Sequence, residues 1–197
     1  ATGIDAMVHA IEAYTSKRLK NPLSDMLARE ALRLMAGNIT TAVKQGDNLE
    51  ARSAMLLGAM LAGQAFANAP VAAVHALAYP LGGNYHIPHG LSNSMVLPHV
   101  LRFNASAASE LYAELAPIIL PGLNLPTDSR EVSELLAEHF LSLAADLGLQ
   151  TRLSEMNIAE SDLPKLAEEA MLQQRLLINN PRELSFDDAL SIYQQAF

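Results

Sequence analysis

From Ser53 to Leu101 the chain carries no Asp, Glu, Lys or Arg, and this uncharged run limits the available folds more than any other feature. Such a stretch belongs either in a bilayer or inside a protein. The window Met55 to Val74 is long and apolar enough to raise the first possibility. It contains Gln64, Asn68 and Pro70, however, and alanine is its commonest residue. A helix buried within a soluble, cytoplasmic protein is therefore the expectation, with no membrane partner.

The flanking sequence supports helices throughout. Ile4, Val8 and Ile11 recur at helical spacing, and Thr2 with Asp5 has the form of a capping box, predicting a first helix to about Thr15. In Asn21–Asp25 (NPLSD), Pro22 ends one segment and Ser24 can cap the next, which should run to about Lys44. A third helix is predicted from Leu49 to Asn68. It is apolar nearly all round in its second half and hence expected to be central. A fourth should begin near Pro70 and stop at Gly82-Gly83. Further helical stretches are expected from Pro88, restarting at Pro98 and closing at Asn104, and then over 108–120, 130–147, 161–172 and 185–196. No segment alternates with period two for long enough to form a strand, and there is no internal repeat. The fold class expected is all-α, a multi-helix bundle forming a single domain over residues 1–197.

The net charge of −8 and the lack of a Lys/Arg cluster exclude a phosphate-tracking surface, so no nucleic-acid partner is expected. The absence of cysteine removes disulfides, thiolate metal sites and a Cys nucleophile together. The opening residues lack the basic start and apolar run of a signal peptide.

Four of the six histidines, His75, His86, His89 and His99, fall inside the uncharged run. Buried imidazoles need partners, and a metal ion supplies one. Asp5 and His9, four residues apart on the first helix, share a face with Cβ atoms about 5–6 Å apart. With His75 and His89 they make a carboxylate and three imidazoles, an ordinary ligand set for Fe²⁺ or Zn²⁺. Each residue also has a plain structural reading: Asp5 as a helix cap, His75 as a core histidine bonded to a carbonyl, His89 as a turn residue.

The segments ATGIDAMVHAIEAYTS and VHALAYPLGGNYHIPHGLSNSMVLPHVLRFN resemble the two signature regions of the iron-containing alcohol dehydrogenases, within the dehydroquinate synthase-like superfamily. The match is strong to Asn104 and consists of generic helices afterwards. This resemblance implies that Asp5, His9, His75 and His89 bind iron, with zinc as an alternative. It also implies NAD(P)-dependent interconversion of a small alcohol with its aldehyde or ketone, the metal polarising the oxygen for hydride transfer to or from nicotinamide. The family often forms homo-oligomers. Two positions depart from its pattern. Tyr79 stands where many members carry a histidine that relays protons or contacts the nicotinamide; a phenol passes on a proton less readily than imidazole at neutral pH. His86 stands where relatives often have an acidic residue, and is a candidate alternative relay or a solvent-facing loop residue. Family members also carry an N-terminal α/β domain with a Gly-rich loop for the cofactor pyrophosphate. This chain has no G-x-G-x-x-G and no G-G-G-S. The expectation is thus a C-terminal metal-binding half, binding NAD or NADP mainly through the other domain and nearly inactive alone. The alternatives are a metal-binding domain without redox activity, or a metal-dependent lyase or hydrolase on the same scaffold.

Overall fold

Capping chemistry sets where several helices begin. In the computed structural model, which describes residues 1–197, helix α2 (Pro22–Lys44) is opened by Asn21. The Asn21 side chain accepts from the backbone N–H groups of Leu23 and Ser24, while Ser24 Oγ accepts from Asn21 N–H. Pro22 thus sits at the first helical position, where no N–H is needed, and Ser24 completes the box from inside the helix instead of capping it. Asn48 opens α3 (Leu49–Asn68), Asp128 opens α6 (Ser129–Asp146) and Ser185 opens α9 (Phe186–Ala196), each by side-chain acceptance of first-turn N–H groups. The remaining helices are α1 (Thr2–Tyr14), α4 (Ala73–Tyr85), α5 (His89–Ile119), α7 (Leu163–Met171) and α8 (Gln174–Leu177), with 3₁₀ turns at Leu153–Met156 and Glu160–Asp162. There is no strand, in accord with the all-α expectation.

Helices α1 and α5 form the centre. Nine residues of α1 are buried, and every residue from Gly90 to Leu101 of α5 is buried. α1 packs against α2, α3 and α5; α4 against α5 and α7; α6 lies along α5, and α9 along α7 and α5. Of the uncharged run, α4 and the first half of α5 take the core positions.

Several helix expectations are corrected. No side chain caps α1: Ala1 precedes it, and Thr2 and Asp5 both lie inside it. α4 starts at Ala73, passes through both glycines and is closed by His86 in the left-handed region (φ 55°). α5 is one continuous helix through Pro98, and Asn104 does not end it. Pro98 removes one helical hydrogen bond. Asn104 is held instead by a reciprocal side-chain amide pair with Asn180, at 3.0 and 2.8 Å, so its polar atoms are satisfied within the helix.

The largest correction concerns α3, which is peripheral. Its buried residues are Ala51, Gly58, Ala62 and Ala65, whereas Leu56 is 76% exposed and Leu57 and Met60 also face outward. Small residues face inward because α2 and α3 approach closely: a Cβ on Gly58 would meet Met35 Cγ at 2.6 Å. No single helix is long and apolar enough to cross a membrane; α3 and α4 together meet that test only as a pair bent by 107°.

Candidate metal centre

Three helices deliver the site. On α1, Asp5, His9 and Glu12 fall at i, i+4 and i+7, one face of a 3.6-residue helix. α4 contributes His75 in its first turn, with Tyr79 one turn on. α5 begins at His89, and Asn93 follows on the same face. Asp5 Oδ1 lies 3.9 Å from His9 Nε2, 3.6 Å from His75 Nε2 and 3.7 Å from His89 Nε2. One ligand atom from each of the four residues lies within 4.8 Å of the others. Two ligands bonded to a common Fe²⁺ or Zn²⁺ at about 2.1 Å lie roughly 3–4 Å apart, so the spacing suits such an ion. One hard oxygen with three imidazole nitrogens suits the same class.

Burial grades across the site. The His75 side chain is 3% exposed and that of His89 is 47% exposed, so the cluster opens to solvent on the α5 side. The His9 ring stacks between Phe66 at 4.6 Å and His75 at 4.7 Å. Burial, helped by the neighbouring His75 imidazole, holds the His9 pKa below its ordinary value, which favours the neutral ring a metal requires.

Two residues of the site were not singled out from the sequence. Glu12 lies buried between α1 and α4, bonded to His75 Nδ1 at 2.6 Å and accepting from Val74 N–H at 2.7 Å. Its signal was available, since an acidic residue at i+7 from Asp5 must share the Asp5 face. Asn93 donates from Nδ2 to Asp5 Oδ1 at 2.6 Å and lies 3.2 Å from both His75 Nε2 and His89 Nε2. Its Oδ1 is buried with no partner, an acceptor left free beside the four donors. Nothing in the sequence distinguished Asn93 from any other polar residue of the run.

Tyr79 is adjacent, its ring centroid 5.9 Å from that of His89. His86 is exposed, closes α4 and is not among the converging side chains. His99, also in the uncharged run, lies apart from the cluster with a buried, unpartnered Nδ1. An apolar groove of ≈ 690 Å³, lined by Ala1, Ile39, Leu49, Met55 and Leu56 among others, contains none of the four donors.

The family model described as Fe-containing alcohol dehydrogenase, C-terminal, matches residues 1–197. The chain belongs to the iron-containing alcohol dehydrogenase family. The resemblance carried by the first 104 residues therefore extends through the generic helices of the second half. Among members of this alcohol dehydrogenase family, the chain is 41% identical to 1,3-propanediol dehydrogenase of Citrobacter freundii, over all of this chain and 50% of that protein. It is 42% identical to long-chain-alcohol dehydrogenase 1 of Geobacillus thermodenitrificans, over all of this chain and 49% of that protein. The crystal structure of a 1,3-propanediol oxidoreductase superposes with a TM-score of 0.93 at 40% identity, covering 100% of this chain and 50% of the other. The chain spans about half the length of these relatives and corresponds to the C-terminal half of iron-type alcohol dehydrogenases. The family implies a metal cofactor and NAD(H).

Proposed function

We propose that this chain is the metal-binding catalytic half of an NAD(P)-dependent alcohol dehydrogenase, with Asp5, His9, His75 and His89 as the ligands. The observation that carries the reading is the convergence of their four donor atoms from three helices. Fe²⁺ is the metal proposed, with Zn²⁺ the alternative that the same donors accept. When bound, the ion supplies Lewis acidity toward an alcohol or carbonyl oxygen, and the nicotinamide exchanges a hydride with the adjacent carbon.

The chain's own residues supply the rest. On the buried side, around His75, the uncharged residues of α4 and α5 keep water away and strengthen electrostatic interactions. The exposed edge at His89 gives a small alcohol, aldehyde or ketone its approach. Tyr79, beside His89, is proposed as the proton relay and as a contact for the nicotinamide. His86 keeps a weaker claim as an alternative relay, because it is exposed at the end of α4. NAD or NADP binds mainly through a part of the protein other than this chain, which lacks a glycine-rich phosphate loop. A cytoplasmic homo-oligomer completes the proposal; the lack of cysteine and the outward-facing leucines of α3 are compatible with it.

The test is metal analysis and alcohol-dependent reduction of NAD or NADP by the complete natural protein, beside His75→Ala and His89→Ala variants. About one metal equivalent per chain, lost with activity in both variants, is the expected result. Full metal content in both variants would refute the ligand assignment. Bound metal without redox turnover on any alcohol would favour a metal-binding domain of other function, or a lyase or hydrolase.

A further inference from the structure

Glu12 is the only Asp, Glu, Lys or Arg in the chain that is buried, at 4% exposure. A buried carboxylate is costly unless each oxygen has a partner. Both have one. Oε1 accepts from Val74 N–H at 2.7 Å, and Oε2 is 2.6 Å from His75 Nδ1. Val74 lies in the first turn of α4, where backbone N–H groups have no partner within the helix, and Ala72, the residue before that helix, offers no capping side chain. Glu12 therefore caps α4 from α1 while gripping the next residue's ring.

Two donors from consecutive residues meet two acceptors on one side chain, and only a carboxylate provides both. With Nδ1 donating to Glu12, the lone pair of His75 must be on Nε2. That is the nitrogen facing Asp5 Oδ1 at 3.6 Å and Asn93 Nδ2 at 3.2 Å. The charges are also matched. Asp5 and Glu12 are the two carboxylates at the site, the other donors being imidazoles, so a divalent cation there is neutralised within the protein.

We propose that Glu12 is a positioning residue of the metal centre. It locks His75 in the Nδ1–H tautomer, aims Nε2 at the ion and contributes the second negative charge that matches a divalent cation. This rests on the reading of Asp5, His9, His75 and His89 as ligands. Glu12 touches no substrate; it acts through His75.

The experiment uses the complete natural protein loaded with Co²⁺, whose electronic spectrum reports the geometry and number of its ligands. Affinity is measured by competition with a chelator. Glu12→Gln keeps shape and volume but leaves one of the two donors facing an NH₂ group. Weakening on the order of 10–100-fold is expected, together with a changed Co²⁺ spectrum. Tyr193→Phe is the control. It loses a buried hydrogen bond to the Leu77 carbonyl on the same helix, so it loosens α4 without touching His75. Its affinity and spectrum should match the wild type. If Glu12→Gln binds Co²⁺ like the wild type while His75→Ala and His89→Ala do not, the positioning role is wrong and the ligand reading stands. If all three bind normally, the ligand reading itself fails. If Tyr193→Phe weakens binding as much as Glu12→Gln, the role of Glu12 is merely structural. Should Glu12→Gln not fold, Glu12→Asp takes its place: it keeps the charge, shortens the reach and is expected to fall between wild type and His75→Ala in affinity.

Discussion

Gly90 is where the backbone of α5 presses on the start of α1, and Gly90→Ala tests whether that contact sets the metal centre. A Cβ at position 90 would lie 2.9 Å from both the carbonyl carbon and oxygen of Ala1, and 3.2 Å from Thr2 N. Heavy atoms in good contact sit about 3.5–4.0 Å apart, so the end of α1 has to retreat by roughly half an ångström or more. The obstacle is backbone and cannot rotate away. The displaced carbonyl also accepts the first hydrogen bond of α1, from Asp5 N–H at 3.0 Å, so the strain passes directly to a proposed ligand. Overpacking of this kind costs about 1–3 kcal/mol, against a helix-propensity gain of up to about 1 kcal/mol. Because the obstacle is rigid backbone at 2.9 Å, the cost falls in the upper part of that range, and a net loss of about 1–2 kcal/mol lowers the melting temperature by roughly 2–8 °C for a chain of this size. Gly37→Ala is the internal comparison. Gly37 is exposed within α2, and its Cβ would meet nothing within 4 Å, so alanine there should stabilise by about 0.5–1 kcal/mol. Thermal unfolding by far-UV circular dichroism, with the rate of metal loss to a chelator measured alongside, gives both readouts. A Gly90→Ala protein that melts at or above wild type and releases metal no faster would refute the reasoning.

Burial, with Arg102 nearby, pushes the pKa of His99 down to about 4. Between pH 6.5 and 4 the unfolded chain binds a proton there that the folded chain refuses, so stability is lost as the pH falls through that window, by up to about 1.4 kcal/mol per pH unit. His99→Gln should flatten the acid side of a urea-midpoint profile by that amount, and an unchanged slope would count against it. Tyr193→Phe removes the buried hydroxyl that donates to the Leu77 carbonyl at 2.6 Å and should cost about 1 kcal/mol, seen as a lower urea midpoint at unchanged m-value. On α3 the pattern is the reverse of size: Leu56→Gln should change stability by less than about 0.5 kcal/mol, because the side chain is 76% exposed. Gly58→Ala, which places a Cβ 2.6 Å from Met35 Cγ and 3.2 Å from the Ala31 carbonyl oxygen, should cost about 1–3 kcal/mol in the same denaturation assay. Equal effects at the two positions would mean that α3 does not pack on α2 as described.

What could be read from the sequence was which segments form helices and which residues share one face of a helix. Helices close to α2, α3, α6 and α9 were expected from periodicity and turn residues, and Asp5 with His9 was placed on one helix face by a spacing of four. The uncharged run signalled burial, and α4 and the first half of α5 are indeed buried. Tertiary structure alone decided the rest. Composition made α3 seem central, but which face of an apolar helix turns inward depends on how closely its partner approaches, and here alanine and glycine allow the tight contact with α2 while leucines remain outside. Packing on both sides carries α5 through Pro98 despite the missing hydrogen bond. Glu12 with Val74 and His75, and the meeting of Asp5 and His9 with His75, His89 and Asn93, join residues 62 to 88 positions apart. Spacing along one helix specifies a face, whereas the distance between faces of different helices exists only once the helices have packed.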